Sequence, residues 1–88
     1  MFQVLTGVKD EAAKEVLEMI PSNTLDVAIR RFAQQVQENK FINKNAKDFN
    51  LYWLGEWNTE TGKITPREPE IIATAKEFTI EEKKEDKK

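Results

Sequence analysis

The segment Phe49-Asn50-Leu51-Tyr52-Trp53-Leu54-Gly55-Glu56-Trp57 constrains the fold of this chain more than any other. Six of its nine residues are aromatic or leucine, types that favour a pleated, partly buried surface. Strict alternation places Phe49, Leu51, Trp53 and Trp57 on one face, and Tyr52 and Leu54 on the other with Asn50 and Glu56. Both faces are substantially apolar. That pattern fits a central strand, or a strand that keeps one aromatic face for a ligand.

A strand of this kind needs partners and a cover. Asn58-Thr59-Glu60-Thr61-Gly62 reads as a hairpin loop, with Gly62 free to take the left-handed conformation that closes it. Lys63-Ile64-Thr65 then returns beside the aromatic strand, and Pro66 and Pro69 stop it or confine it to an edge. Met1 to Val8 alternates weakly through Phe2, Val4, Leu5 and Val8 and reads as a strand ending near Gly7 and Lys9-Asp10. The cover is the stretch Thr24 to Glu38. Leu25, Ala28, Ile29, Phe32 and Val36 form one apolar stripe at helical spacing, Asn23 suits the N-cap, and Asp26 can pair with Arg30 one turn on. Phe41 to Lys47 is a polar connector anchored by Phe41 and Ile42.

Two segments stay ambiguous. Ala12, Val16, Met19 and Ile20 recur at helical spacing, yet Val16 to Ile20 equally suits a short strand paired with the first, and Pro21 is expected to end either element. Ile71 to Phe78 suits a last strand or a short helix. The eight residues from Glu81 to Lys88 are four acids and four lysines, which predicts a solvated, frayed tail beyond a single domain over 1–80. The fold class expected is α+β: a small antiparallel sheet of about four strands with one main amphipathic helix (24–38) packed on it.

Composition then narrows the function. With 88 residues the chain is one domain, and a domain of this size buries a limited share of its surface, so a partner subunit can add burial. Cysteine and histidine are both absent, which removes thiolate and imidazole nucleophiles, bases and metal ligands together. Ser22 is the only serine, and the three glycines are isolated, so no phosphate-cradling loop forms. Asp10, Glu11 and Glu15 can gather as an acidic group, but such groups are more often a solvated face. No enzyme activity and no cofactor or metal are expected. No signal peptide is recognisable, and no run approaches the roughly 18 apolar residues of a membrane span, so an intracellular, soluble protein is expected.

Binding remains. The net charge of −2 is unevenly spread. From Arg30 to Lys47, five cations (Arg30, Arg31, Lys40, Lys44 and Lys47) face one acid, Glu38, whereas Asp48 to Glu70 carries an acidic excess. The five cations can track a phosphate backbone, and Tyr52, Trp53 and Trp57 can stack on unpaired bases at about 1–3 kcal/mol per base. The structural alternatives are a solvated or acid-paired Arg30 and Arg31, and a Trp53 and Trp57 that belong to the core with Phe49 and Leu51.

Three stretches, in this order and spacing, resemble a known family. They are Val27-Ala28-Ile29-Arg30-Arg31-Phe32, then Lys47 to Trp57, then Thr61-Gly62-Lys63-Ile64-Thr65 followed by Pro69 and Ile71-Ile72. Together they are similar to the small nonstructural protein of gokushoviruses, single-stranded DNA bacteriophages of the Microviridae. Arg30 matches that family's helix arginine, and Asp48, Phe49, Leu51, Tyr52, Leu54, Gly55 and Trp57 match its strand signature. The resemblance implies a protein of the host bacterial cytoplasm, absent from the mature capsid, that acts in single-stranded genome synthesis or packaging by binding DNA. It supplies no catalytic residues. The segment Ala12 to Met19 and the charged tail depart from the family pattern. Sequence alone thus leaves two functions standing: a single-stranded DNA binder using Arg30, Arg31, Lys40, Lys44, Lys47 and the three aromatics, or an adaptor that contacts replication or procapsid proteins. A homodimer is compatible with either.

Overall fold

The computed structural model describes residues 1–79; the tail expected from Glu81 onward lies outside the described residues. Four antiparallel strands form one sheet in the order β2-β1-β3-β4. They are β1 (Phe2–Asp10), β2 (Glu15–Ser22), β3 (Phe49–Asn58) and β4 (Ile64–Thr74). Helix α1 (Leu25–Glu38), the short helix α2 (Lys40–Lys44) and two 3₁₀ turns, Ala46–Asp48 and Ala75–Phe78, make a second layer on one face. The expected α+β architecture, with the aromatic strand central, is what the chain adopts.

The ambiguous second element is a strand. Asp10 makes the reversal that brings it back onto β1: its carboxylate accepts from the backbone N–H of Ala12 and Ala13 at 3.0 and 3.2 Å, and Lys14 takes a left-handed φ of 60°. Pro21 does not end β2, contrary to expectation. The strand runs through it to Ser22, with Pro21 opposite Leu5. It can do so because β2 is an edge strand, where a missing N–H breaks no ladder on the outer side. Pro66 and Pro69 lie within β4, the opposite edge, and both irregular stretches of the β3–β4 register fall near them or at Ile72.

Helix α1 starts one residue later than the expected cap. Thr24 Oγ1 accepts from Val27 N–H at 3.1 Å, while Asn23 instead accepts a bond from the Gln3 side chain at 2.8 Å. Both residues follow the edge strand, and the hydroxyl is the one whose position suits the first turn. Asn39 then serves two helices. Its N–H bonds to Gln35 at the end of α1, and its side chain accepts from Ile42 N–H at 3.1 Å to start α2. The expected polar connector is therefore helical, and its anchors are Ile42 and Ala46; Phe41 stays exposed and meets Phe49 edge-on, ring centroids 5.9 Å apart.

The core lies between the two layers. Ala28, Phe32 and Val36 of α1 pack with Ile42 and Ala46 onto Val8, Phe49, Leu51, Ala73 and Ala75. Phe78 adds its ring edge to Phe32 at 6.1 Å. Leu5 is also buried, yet it belongs to the opposite side of the sheet and lies outside this cluster.

Alternation along β3 breaks at Leu54. Leu5 pairs with Gly55 but Thr6 pairs with Trp53, so Leu54 has no partner on β1, and it has none on β4 either. A bulge of one residue reverses which face the following side chains use. Trp57, opposite Gln3, therefore shares the helix-free face with Tyr52, opposite Gly7, and Trp53 lies on the helix side. The expectation that Trp53 shares a face with Leu51 therefore holds, and the expectation that Trp57 does so is corrected. Gly55 is required here, since a Cβ at this position would stand 2.5 Å from the Thr65 carbonyl oxygen.

Replacing Phe32, which is fully buried, with alanine should cost about 3–5 kcal/mol in urea unfolding. Phe41→Ala, on an exposed ring, should cost less than about 1.5 kcal/mol in the same assay.

Candidate nucleic-acid interface

The cationic stretch occupies the outer surface of the helical layer. Arg30 and Arg31 are exposed on α1, Lys40 and Lys44 one turn apart on α2, and Lys47 on the following 3₁₀ turn. Their positions follow from the packing beneath them. Ile42 and Ala46 must point into the core, which turns Lys40, Lys44 and Lys47 outward. Among the described residues, none of the five lies in an ion pair; the pairs formed are Met1 with Glu60, Lys9 with Glu11, and Arg67 with Glu70. Asp26 does not pair with Arg30. Arg31 is partly committed to the fold, since its Nη1 donates to the Pro21 carbonyl and the Ser22 hydroxyl, both at 3.4 Å, and ties α1 to the end of β2.

The three aromatics are divided between two faces. Trp53 is half-buried on the helix side, its indole N–H donating to the Gly55 carbonyl at 3.2 Å. The Arg67 guanidinium carbon lies 3.6 Å from its ring centroid, a close cation–π stack. β4 places that arginine there because its backbone sets Arg67, Glu68 and Pro69 against the single β3 residue Leu54, and Glu70 then receives the guanidinium at 3.0 Å. The Arg67 Nε is enclosed without a hydrogen-bond partner.

Tyr52 and Trp57 lie on the helix-free face. The Tyr52 hydroxyl donates to Glu11 Oε2 at 2.6 Å, and the Asn50 amide donates to the same oxygen at 2.8 Å. Lys9 stands 3.7 Å from the other Glu11 oxygen and 5.5 Å from the Tyr52 ring centroid. The hydroxyl of Tyr52 and the amide of Asn50 hold the Glu11 carboxyl below the usual glutamate range. The same bond pushes the Tyr52 phenol above its ordinary value. The sequence grouped Glu11 with Asp10 and Glu15, but Asp10 caps the β1–β2 turn and Glu11 serves Tyr52. Among the described residues no group of acids is arranged to hold a metal ion.

All five cations are thus exposed on the helical layer, Lys40, Lys44 and Lys47 on α2 and the turn after it, Arg30 and Arg31 on α1. The structure puts Tyr52 and Trp57 on the other side of the sheet, and Trp53 under Arg67. Sequence reading missed Arg67, Lys9 and Glu11 as partners of these aromatics. A signal for Arg67 existed in Pro66-Arg67-Glu68-Pro69, an arginine between prolines on a strand returning past tryptophans.

Tyr52→Phe should cost about 1 kcal/mol at neutral pH, because it removes one hydrogen bond to a charged but solvent-accessible group. Glu11 has a depressed folded-state value, so its contribution is present above the ordinary glutamate value and is lost as pH falls through the folded one. Urea unfolding across the acid range should therefore show wild type and Tyr52→Phe converging in stability as the carboxylate protonates.

No curated protein and no solved structure matches the chain. Residues 3–78, the whole of the sheet and helical layer just described apart from their outermost residues, match the model of one family, and the chain belongs to it: the phage ORF5 protein family.

Proposed function

We propose that this phage protein binds single-stranded DNA and acts in the synthesis or packaging of a single-stranded genome, as the resemblance to the gokushovirus nonstructural protein implies. The observation that carries the reading is the cationic surface of the helical layer. Five exposed cations lie within eighteen residues, and among the described residues none is neutralised by an acid. Unpaired surface cations release counterions from a polyanion without first breaking an ion pair, and that release supplies most sequence-independent affinity. Arg30, Lys40, Lys44 and Lys47 take the phosphates, with Arg31 contributing only what its bonds to β2 leave free. Of Tyr52, Trp53 and Trp57, Trp53 is the one on the same side of the sheet, about 13 Å along β3 from Phe49. A base reaching it would stack on the Arg67–Trp53 pair or displace the guanidinium. Tyr52 and Trp57, on the far side, fit base contact less well in a single chain. The reading is of a binding protein of the host cytoplasm outside the mature capsid, with no chemical step.

The second reading, an adaptor for replication or procapsid proteins, draws on a different observation: the helix-free face of the sheet exposes large apolar side chains. It does not need the cations, and this separates the two.

An unstructured oligonucleotide titrated into micromolar protein at low salt should quench tryptophan emission, with affinity falling steeply as salt rises. A triple variant, Lys40→Ala with Lys44→Ala and Lys47→Ala, should bind more weakly and flatten the log–log salt slope by about 2, since each phosphate neutralised on a single strand is worth roughly 0.7 of slope. Absence of any signal from the wild type at low salt would overturn the DNA reading and leave the adaptor.

A further inference from the structure

We propose that the helix-free face of the sheet is the interface of a homodimer, in which two copies stack sheet on sheet with their helical layers outward. The register defines this face. β1 contributes Leu5 and Gly7, β2 contributes Val16, Met19 and Pro21, β3 contributes Tyr52, Leu54 and Trp57, and β4 contributes Ile64, Pro66 and Ile71. Its centre is already closely packed. Leu5 is only 4% exposed although no helix lies over it, and Val16 and Leu54 come within 3.0 Å of where a Cβ on Gly7 would stand. Its flanks are not covered: Val16, Met19, Ile64 and Ile71 are 42, 50, 55 and 48% exposed. These four come from both edge strands, so the apolar surface spans the sheet from side to side.

Several observations select a second copy as the occupant. At the paired strand positions of this face Lys9 is the one charged residue, and its ammonium is 3.7 Å from Glu11. A polyanion would find no free cation there, and the phosphate contacts that dominate nucleic-acid affinity would be missing. The stretch Glu81–Lys88 is charged throughout, so it brings no apolar side chain to the face. Pairing edge to edge is obstructed, since Pro21 lies in β2, Pro66 and Pro69 lie in β4, and both outer ladders carry register shifts. A near-neutral apolar sheet face is self-complementary under a two-fold axis, which is the commonest route to a closed oligomer. Its size also suffices. Four strands about 4.8 Å apart and roughly 30 Å long present some 570 Å² in projection, so two faces bury about 1,100 Å². That clears the roughly 1,000 Å² expected of a specific interface. Stacked sheets about 10 Å apart would interleave these side chains as in a β-sandwich, and the five cations of each copy would then face outward on opposite sides.

The test is sedimentation equilibrium of the full chain from micromolar to near-millimolar concentration, with thermal unfolding over the same range. The wild type should show twice the single-chain mass and an unfolding midpoint that rises with concentration. Met19→Glu and Ile71→Glu, each placing a charge on the face, should halve the mass while leaving the far-ultraviolet dichroism unchanged. Leu17→Glu is the control; Leu17 is equally exposed, on the same edge strand, beside Gln35 and Phe41 of the helical layer, and the variant should remain dimeric. A wild type of single-chain mass throughout, with a concentration-independent midpoint, overturns the proposal and gives the face to another occupant. So does a folded Met19→Glu or Ile71→Glu protein that remains dimeric. Should one variant fail to fold, the other and the wild-type midpoint still decide the matter. DNA binding through the lysines is read separately, by the salt-dependent titration.

Discussion

One helix cannot cover both faces of a four-stranded sheet, and the rest of this molecule follows from that limit. Helix α1 has 14 residues, about 21 Å of length and roughly 10 Å of width, against a sheet some 19 Å across. It lies over Val8, Leu51 and Ala73, where the small side chains of Ala28, Ala73 and Ala75 let the layers approach closely. The ground it leaves bare on that side is roofed by α2 and the two 3₁₀ turns, which deliver Ile42, Ala46 and Phe78. The opposite face has no such roof. What the chain exposes on that side is therefore set by which β3 side chains point there.

The Leu54 bulge makes that choice. Without it, Trp53 and Trp57 would both lie on the helix side, the helix-free face would hold Tyr52 and Leu54 beside Glu56, and its apolar surface would stop short of β4's Ile64. With it, Trp57 joins Tyr52 opposite Ile64 and Ile71, and Glu56 moves to the helix side. The cost is a tight approach of β3 to β4, which only a residue without Cβ permits at Gly55. The leucine and glycine of the strand signature thus have a shared structural reason. Leu54 is the unpaired residue, and Gly55 is where the partner backbone closes in.

Most of the architecture was legible because it is local. Helix α1 was written in the spacing of Leu25, Ala28, Ile29, Phe32 and Val36, and the β3–β4 hairpin in Asn58 to Gly62, where Gly62 does take a φ of 81°. The class of sheet and the central place of β3 followed from its two apolar faces. What escaped was non-local. A bulge depends on how two partner strands register against a third, which no alternation along one strand reveals. Val16 to Ile20 could not be assigned because an edge strand exposed on both sides loses the period-two contrast that marks a half-buried one. The same applies to the candidate site. The five cations were visible as a run in sequence, and the fold spreads them over three consecutive pieces of the helical layer: Arg30 and Arg31 on α1, Lys40 and Lys44 on α2, and Lys47 on the 3₁₀ turn that follows. Tyr52 was expected opposite Trp53 and Trp57, and the three occupy separate environments: one phenol bonded to Glu11, one indole under Arg67, and one indole on the helix-free face.

That separation bears on how charge and apolar surface divide the work. The net charge of −2 describes neither face. Packing Ile42 and Ala46 inward sends three lysines out over the helical layer, while the sheet's other side is nearly free of charge at its paired positions, with Lys9 held by Glu11. The exposed cations and the exposed apolar side chains thus lie on opposite sides of a domain two layers thick. An apolar surface loses affinity for its own kind when it carries unpaired charge. Keeping the two on separate layers lets one small domain hold both, so that a change to the lysines leaves the apolar face of the sheet untouched. Trp53 lies on the helix side of the strand that also carries Tyr52 and Trp57 to the apolar face, and its ring is covered there by the Arg67 guanidinium.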